Sequence, residues 1–301
     1  MATLLDGKKL SSDIREQLLK SSNEISPILG RRPKLAVILV GDNPASKIYV
    51  ASKTKAAESC GIDVLDFFID SSIIQVELEK KITEIANMND VDGILMQLPL
   101  PKHLDEKLAL ACIPQSKDVD GLTSENQGYI MRGDLSTPEG SPVFCPCTPK
   151  GLLKLIDLAL GDFNKEFDLA GKLAVVVGRS ILVGRPAGMM LLNRNCTVLY
   201  AHSKSSNLKE LCSQADILVA AVGRPEMFDE SYIKKGAIVI DVGINRLEEG
   251  PQAGKIVGDV KFDSVKEVAS AITPVPGGVG PMTIAMLMEN VISSAKSKIN
   301  L

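Results

Sequence analysis

The chain has 301 residues, of which 45% are hydrophobic and 24% charged, the composition of an ordinary globular protein with length enough for two domains. Its 34 Lys and Arg against 37 Asp and Glu leave a net charge of −3, and 4% aromatic residues with no Trp offer few stacking platforms, so nucleic-acid binding is not expected. The apolar runs at 35–40 and 217–222 are only six residues long, far short of the roughly 18 that a membrane span needs. The first residues lack the basic stretch and apolar core of an export signal, so a soluble, cytoplasmic protein without membrane contact is expected. Cys60, Cys112, Cys145, Cys147, Cys196 and Cys212 are scattered without a repeating pattern, which suggests neither a disulfide framework nor a metal site.

In chain order, the first predicted element is a helix over 8–21. A β-branched run at 35–40 follows as a strand. Asn43 and Pro44 then read as an N-cap and first helical residue, with Gly61 closing that helix. Strands are predicted at 64–69 and 93–98, and between them Val76, Leu78, Ile82 and Ile85 recur at helical spacing over 74–87. From 123 to 149 the texture changes to Gly, Pro, Ser and Thr without a sustained period, which places a crossing between domains there. A helix over 150–160 leads into strands at 173–177, 197–201, 217–221 and 237–242. Finally, 283–299 sets Ile284, Leu287, Met288, Val291 and Ile292 on one helical face after a break at Pro281. Short strands alternating with helices are the pattern of βα units on parallel sheets, so the fold class is α/β with two domains.

The strand at 173–177 runs into Gly178, Arg179, Ser180 and Gly184 and then into a helix-compatible segment, 187–193. A strand, a glycine turn and a helix N-terminus present backbone N–H groups and a dipole end to a pyrophosphate. Ser180 stands where the second glycine of the usual spacing would be, and a simple tight turn fits the same residues. In an NAD site a carboxylate about 20 residues farther on accepts the ribose hydroxyls. Here the next strand ends in His202, Ser203 and Lys204. Arg179, Ser203 and Lys204 suit a 2′-phosphate instead, which favours NADP. His202 reads equally well as a surface residue.

Tyr49 and Lys53 lie at i and i+4 of the helix after the first strand, on one face. Alone, such a pair is also what a solvated Lys beside a half-buried Tyr looks like, but its place at the carboxyl edge of an α/β sheet is where ligands bind. Gln97 is a lone amide in an apolar run and needs partners if buried. Asp118 and Asp120 follow another strand end and fit turn roles as well. Cys145 and Cys147 have no second pair, and with His103 and His202 the only histidines a tetrahedral metal set is not expected.

Along nearly its whole length the chain resembles the bifunctional 5,10-methylenetetrahydrofolate dehydrogenase/5,10-methenyltetrahydrofolate cyclohydrolases. The resemblance rests on six ordered motifs: Tyr49 to Lys53 with the following 54–57, Gln97-Leu98-Pro99-Leu100-Pro101, residues 117–123, residues 146–151, Gly178-Arg179-Ser180, and an eleven-residue run at 273–283. Ile181 and Leu182, and the polar stretch 136–141, depart from the family pattern. They bear on how the adenosine end of a cofactor is gripped rather than on the reacting groups.

The resemblance implies a folate-binding domain, 1–148 with 282–301, and a Rossmann-type NADP-binding domain, 149–281. It further implies an active cleft between them, the last helix returning to the first domain, and a homodimer formed through the Rossmann domains. It makes Lys53 the catalytic amine, Tyr49 the ring that stacks on the aminobenzoyl portion of the substrate, Gln97 the partner that positions Lys53, and Asp120 the carboxylate that holds the pterin. Leu98, Pro99, Gly280 and Pro281 would line the substrate. Thr148, Gly178, Arg179, Ser180, Ser203, Val222, Gly223, Ile244 and Thr283 would contact the cofactor. A pterin's amino group and ring N–H are parallel donors that an ionised Asp accepts in bidentate fashion. A dehydrogenase lacking the hydrolase step, with NAD as the alternative cofactor, and a non-catalytic NADP-binding α/β protein are the rival readings. The second leaves Tyr49, Lys53, Gln97 and Asp120 without a common purpose.

Overall fold

The computed structural model describes residues 2–249 and 253–299. Met1, Asn300, Leu301 and residues 250–252, which fall inside the expected domain ranges, lie outside the described residues. In chain order the strands are β1 (Thr3–Leu4), β2 (Lys34–Val40), β3 (Asp63–Ile69), β4 (Gly93–Met96), β5 (Leu173–Val177), β6 (Thr197–Ala201), β7 (Ile217–Ala220), β8 (Ile238–Asp241), β9 (Asn245–Arg246), β10 (Ile256–Val257) and β11 (Ala271–Ile272). The helices are α1 (Gly7–Leu29), α2 (Pro44–Ser59), α3 (Gln75–Ala86), α4 (Glu106–Ala111), α5 (Ser124–Arg132), α6 (Cys147–Ala159), α7 (Gly184–Leu192), α8 (Leu208–Cys212), α9 (Phe262–Val265) and α10 (Val279–Ser297). No helix among the described residues is long and apolar enough to cross a membrane.

The chain divides into two compact units, one of Ser12–Pro146 with Ile284–Leu301, the other of Met1–Ser11 with Cys147–Thr283. The first is built on a parallel three-stranded sheet in the order β3-β2-β4. Residues 35–40 of β2 are buried without alternation, as a central parallel strand covered on both faces requires, whereas the edge strand β3 alternates toward solvent. On one face α3 sets Leu78, Ile82 and Ile85 against Ala36, Ile38, Ile94 and Met96. Each such buried aliphatic side chain contributes about 1.5–3 kcal/mol. The last turns of α10 are tied into this unit by polar contacts. Asn290 Nδ2 donates to the carbonyl of Val119 at 2.8 Å, and Ser294 Oγ donates to that of Asp92 at 2.6 Å.

The second unit carries a parallel six-stranded sheet in the order β1-β11-β8-β7-β5-β6. The four-residue strands β7 and β8 are wholly buried. The strand order reverses at β5, so β5 and β7 flank a switch point, where the carboxyl ends of parallel strands leave a ligand crevice.

Residues 2–11 pack with the second unit, where β1 pairs with β11 (Thr3 opposite Ala271) and the N–H of Lys8 donates to the carbonyl of Gly277 at 2.9 Å. Two expectations are corrected. The irregular stretch after 123 contains α5, which buries only Asn126 and Ile130 and so leaves no visible period. The last helix begins at Val279 rather than at Thr283. Pro281 is no break, since in a first helical turn its missing N–H has no intrahelical partner to lose.

A buried ion cluster lies in the first unit. Asp92, with no exposed surface, accepts from Arg31 Nη1 at 2.6 Å and Nη2 at 2.8 Å and from the Lys34 N–H at 2.8 Å, and it pairs with Lys298 Nζ at 2.8 Å. Burial pushes this carboxyl up, but the hydrogen bonds from Arg31 and Lys298 outweigh it and hold the group below the usual carboxylate range. The stabilisation is therefore present above the unfolded value of about 3.9 and is lost as pH falls through the lower folded value. Asp92→Asn is expected to cost about 3 kcal/mol at neutral pH, because it strands two cations beside a buried amide. Urea unfolding should show the gap between parent and variant narrowing as pH falls through and below the ordinary carboxylate range, where the parent progressively loses the same charge.

Candidate active site

In the first unit α2 starts where Asn43 and Pro44 place it. Asn43 Oδ1 accepts from the Ser46 N–H at 3.3 Å, and Gly61, at φ +69°, follows the helix end. Tyr49 and Lys53 thus share one face, the ring 49% exposed and the amine half-buried. The strand β4 ends at Met96, and the next residue, Gln97, keeps its backbone in register by donating to the Ile38 carbonyl at 2.9 Å. Its side chain is buried. Lys53 Nζ donates to Gln97 Oε1 at 3.1 Å, and Gln97 Nε2 donates to the Leu98 carbonyl at 2.6 Å. The second bond fixes which end of the amide faces the amine, since a flipped amide would set two donors against each other. Leu98 is half-buried and Pro99 exposed, joined by a cis peptide bond.

The segment from Lys117 to Thr123 is folded around its own first aspartate. Asp118 is buried, and its carboxylate accepts from the N–H groups of Leu122 at 3.1 Å and Thr123 at 2.8 Å and from Asn126 Nδ2 at 2.9 Å. Burial pushes this carboxyl up to about 6 against those donors, so it stays ionised at neutral pH. Lys117 Nζ caps the carbonyls of Ala86 and Met88, each at 2.7 Å. The chain then turns at Gly121, at φ +70°, where an added Cβ would lie 2.6 Å from the backbone of Phe144 and Cys145. This frame presents the half-buried Asp120. Asp120 itself lies in the turn, whereas Asp118 sits on an isolated parallel bridge to Ile94 and is consumed in folding the loop.

A groove of about 1170 Å³ runs along the other flank of α2, lined by Lys47, Val50, Thr54 and Lys55 from the helix and by Asp66 and Phe68 from β3 among others. None of the expected site residues lines it.

The second unit gathers the remaining expected residues. Gly178 leaves β5 at φ +138°, and a Cβ there would sit 2.3 Å from the Ala221 carbonyl oxygen at the end of β7. A Cβ on Gly184 would lie 2.3 Å from the Gly178 carbonyl, so both glycines are required for the turn to fold back on the helix start. Ser180 Oγ accepts from the N–H groups of Val183 at 3.1 Å and Gly184 at 3.4 Å. The side chain that replaces a glycine here caps α7 and occupies part of its N-terminal donor set. Arg179, Ser203 and Lys204 are exposed. His202 Nδ1 accepts from the Lys204 N–H at 3.2 Å, which shapes the turn after β6. Thr148 Oγ1 and Thr283 Oγ1 are 2.9 Å apart. Ile244 is exposed, and a Cβ on Gly280 would lie 3.9 Å from its Cδ1. Gly280 and Pro281, expected on the substrate side, thus fall in the unit that holds the expected cofactor residues. The N–H groups of Val222 and Gly223 both donate to Asp259 Oδ2, at 2.7 and 3.0 Å.

Two family descriptions match the chain: the tetrahydrofolate dehydrogenase/cyclohydrolase catalytic domain over residues 5–120, and the tetrahydrofolate dehydrogenase/cyclohydrolase NAD(P)-binding domain over residues 146–299. The chain belongs to the tetrahydrofolate dehydrogenase/cyclohydrolase family. A bifunctional protein FolD of Acetivibrio thermocellus is 48% identical over 98% of this chain and 97% of its own length. One from Bacillus subtilis is also 48% identical, over 98% of each chain. Among solved structures, the bifunctional methylenetetrahydrofolate dehydrogenase/cyclohydrolase of Campylobacter jejuni superposes with a TM-score of 0.91 at 47% identity, covering 99% of this chain and all of that one. The Trypanosoma brucei enzyme, solved with NADP cofactor and an inhibitor, gives a TM-score of 0.89 at 32% identity, over 100% of this chain and 99% of that one.

In this family member, Asp259 is the residue that sequence reasoning passed over. It lies between two glycine-bearing segments without a period to mark it, and only its position after Gly258 hinted at a tight backbone. Asp118 was visible but ambiguous. Gly121→Ala tests the loop that Asp118 organises. It is expected to cost more than about 2 kcal/mol, the sum of a left-handed backbone and a backbone clash, read as a fall in the urea midpoint at unchanged slope.

Proposed function

We propose that this chain oxidises 5,10-methylenetetrahydrofolate to the 5,10-methenyl compound with NADP and then hydrolyses that product to 10-formyltetrahydrofolate. The observation that carries the reading is the hydrogen bond from Lys53 Nζ to Gln97 Oε1, made by the residue pair that the family resemblance puts at the reacting carbon. Membership of the family and the bifunctional names of relatives near 48% identity support both half-reactions.

Asp120 offers two carboxylate oxygens to the amino and ring N–H donors of a pterin, and the Asp118 frame keeps it from collapsing into the loop. The exposed ring of Tyr49 suits stacking on the aminobenzoyl group. Leu98 and Pro99 would form the apolar wall beside it. When bound, NADP supplies the acceptor for the hydride that leaves the methylene carbon. For that step the chain has chiefly to align reactants, because orientation accounts for most of the acceleration. In the hydrolysis, water attacks the methenyl carbon while Lys53 Nζ takes a proton from it. The resulting adduct opens as its C–N5 bond breaks, a carbonyl forms and N5 receives a proton. Gln97 acts by holding Nζ in place, its own orientation secured by the Leu98 carbonyl.

The second unit fits NADP on its own geometry. The turn from β5 into α7 closes only with glycine at 178 and 184, where a Cβ would meet backbone, and no acidic side chain follows β6, where Ser203 and Lys204 stand exposed together with Arg179 after β5. Gly178, Ser180 and the start of α7 would face the pyrophosphate, and Val222, Gly223, Ile244, Thr148 and Thr283 the rest of the cofactor. The homodimer reading is supported by the open outer edge of β6, beside which Tyr200 and Leu192 are exposed at 37% and 48%. Sedimentation at micromolar concentration is expected to give twice the 32.2 kDa chain mass; a monomer would refute the dimer.

The deciding assay follows both half-reactions with NADP and NAD in parallel. The parent is expected to form methenyl product faster with NADP and to convert it to the formyl compound. Lys53→Met is expected to lose hydrolysis by a factor of about 100 or more, within the range a positioned acid–base group supplies, and to keep a larger share of its dehydrogenase rate. Methenyl hydrolysis at the parent rate in that variant would refute the role of Lys53.

A further inference from the structure

We infer that Asp259, held in place by Asp241, is a positioning residue for the cofactor: it fixes the loops 222–224 and 243–245 together in the shape that accepts NADP. The inference deepens the NADP reading above and rests on it.

Asp259 is completely buried, yet it serves two loops from different strands. Its Oδ2 accepts from the N–H groups of Val222 and Gly223, and its Oδ1 accepts from the Arg224 N–H at 2.9 Å and from Asn245 Nδ2 at 2.9 Å. Val222 to Arg224 follow β7, and Asn245 comes two residues after Gly243 in the segment following β8. One carboxylate thus spans the exits of two neighbouring strands, beside the switch point at β5. Asp241, at the end of β8, orients the residue itself. Its Oδ1 accepts from the N–H groups of Asp259 and Gly243, each at 2.9 Å, and its Oδ2 from the Val260 N–H at 2.9 Å.

The packing leaves no slack. A Cβ on Gly258 would fall 1.8 Å from Asp241 Oδ2, and one on Gly243 would fall 2.3 Å from the Asp259 carboxylate. Neither carboxylate has an ion pair among the described residues, so backbone and amide N–H groups supply all the compensation described. Burial pushes the Asp241 carboxyl up to about 7, and the charge of Asp259 adds to that. Two unpaired buried carboxylates are a poor way to gain stability, because desolvating each costs several kcal/mol. What a carboxylate does that no apolar residue can is to accept four N–H groups from divergent directions. The residues so held, Val222, Gly223 and the neighbours of Ile244, are those the family resemblance sets against the cofactor.

The test compares full-length parent, Asp259→Asn and Asn245→Ala. In Asp259→Asn an NH₂ group must face one of the two pairs of donors. NADP affinity by titration calorimetry is expected to fall about tenfold, the loss of one charge-assisted hydrogen bond. KM for NADP should rise in parallel, with kcat at saturating NADP largely retained. Methenyl hydrolysis, which consumes no NADP, should stay within about twofold of the parent, since a merely unfolded protein would lose it. Asn245→Ala removes one donor of four from a half-buried site and is expected to weaken NADP about threefold; it decides the matter if Asp259→Asn does not fold. Unchanged NADP affinity in the folded variants, or a fall in kcat at constant KM, would overturn the inference. A parent that binds NADP but catalyses neither reaction would count against the folate reading instead, and the calorimetric comparison would still judge this one.

Discussion

A parallel sheet ends in loops, and every loop that bends sharply enough to form a site leaves backbone N–H groups without partners. This chain meets that constraint with buried carboxylates. Asp118 gathers the N–H groups of Leu122 and Thr123 beneath Asp120, and Asp259 gathers those of Val222, Gly223 and Arg224 beneath the exit of β7. In each case the charge is consumed inside the loop, where it satisfies backbone N–H groups. The cost of burying the charge is offset by several charge-assisted bonds at once, and the loop that results has one shape rather than many.

The same economy governs Lys53. A lysine on an exposed helix face has some 2 kcal/mol of rotamer entropy to lose before it can act at one point in space. A single hydrogen bond to an amide that is itself locked by the Leu98 carbonyl removes much of that freedom before any substrate arrives. Gln97 can do this only because it directly follows β4, where its backbone still belongs to the register set by Ile38. The amine is therefore positioned by sheet geometry through two side-chain steps, and the flexible stem of the lysine is the last link rather than the whole chain.

Much of this was legible in the sequence where pattern and packing coincide. The uniformly apolar run at β2, the Asn43 and Pro44 start of α2 and the spacing of Leu78, Ile82 and Ile85 each state their element directly. What escaped was structure made by partners distant in sequence. The two-residue strands β1 and β11 exist only because they pair with each other and with β8, and no window of sequence records that. Helix α5 is held by Asp118 and its Thr123 cap rather than by an apolar stripe. The start of α10 was hidden because proline reads as a break everywhere except in the first turn of a helix. The family resemblance singled out Asp120, but pattern alone did not separate it from Asp118, and only burial shows that Asp118 is spent inside the loop.

Ser180 shows how a departure from a familiar spacing can be chemically conservative. The second glycine of a dinucleotide loop lets backbone approach a pyrophosphate. Here a serine takes the position, and its hydroxyl turns inward to accept from Val183 and Gly184 instead of projecting at the ligand. Gly178 and Gly184 let the turn pack against its own backbone, where a Cβ would collide. Capping by Ser180 uses the first N–H of α7, that of Gly184, so less of any anion binding can come from the helix end. More of it must come from cations, and Arg179 and Lys204 stand exposed at the ends of the two adjacent strands β5 and β6. These exposed cations are the feature on which the NADP reading proposed above rests.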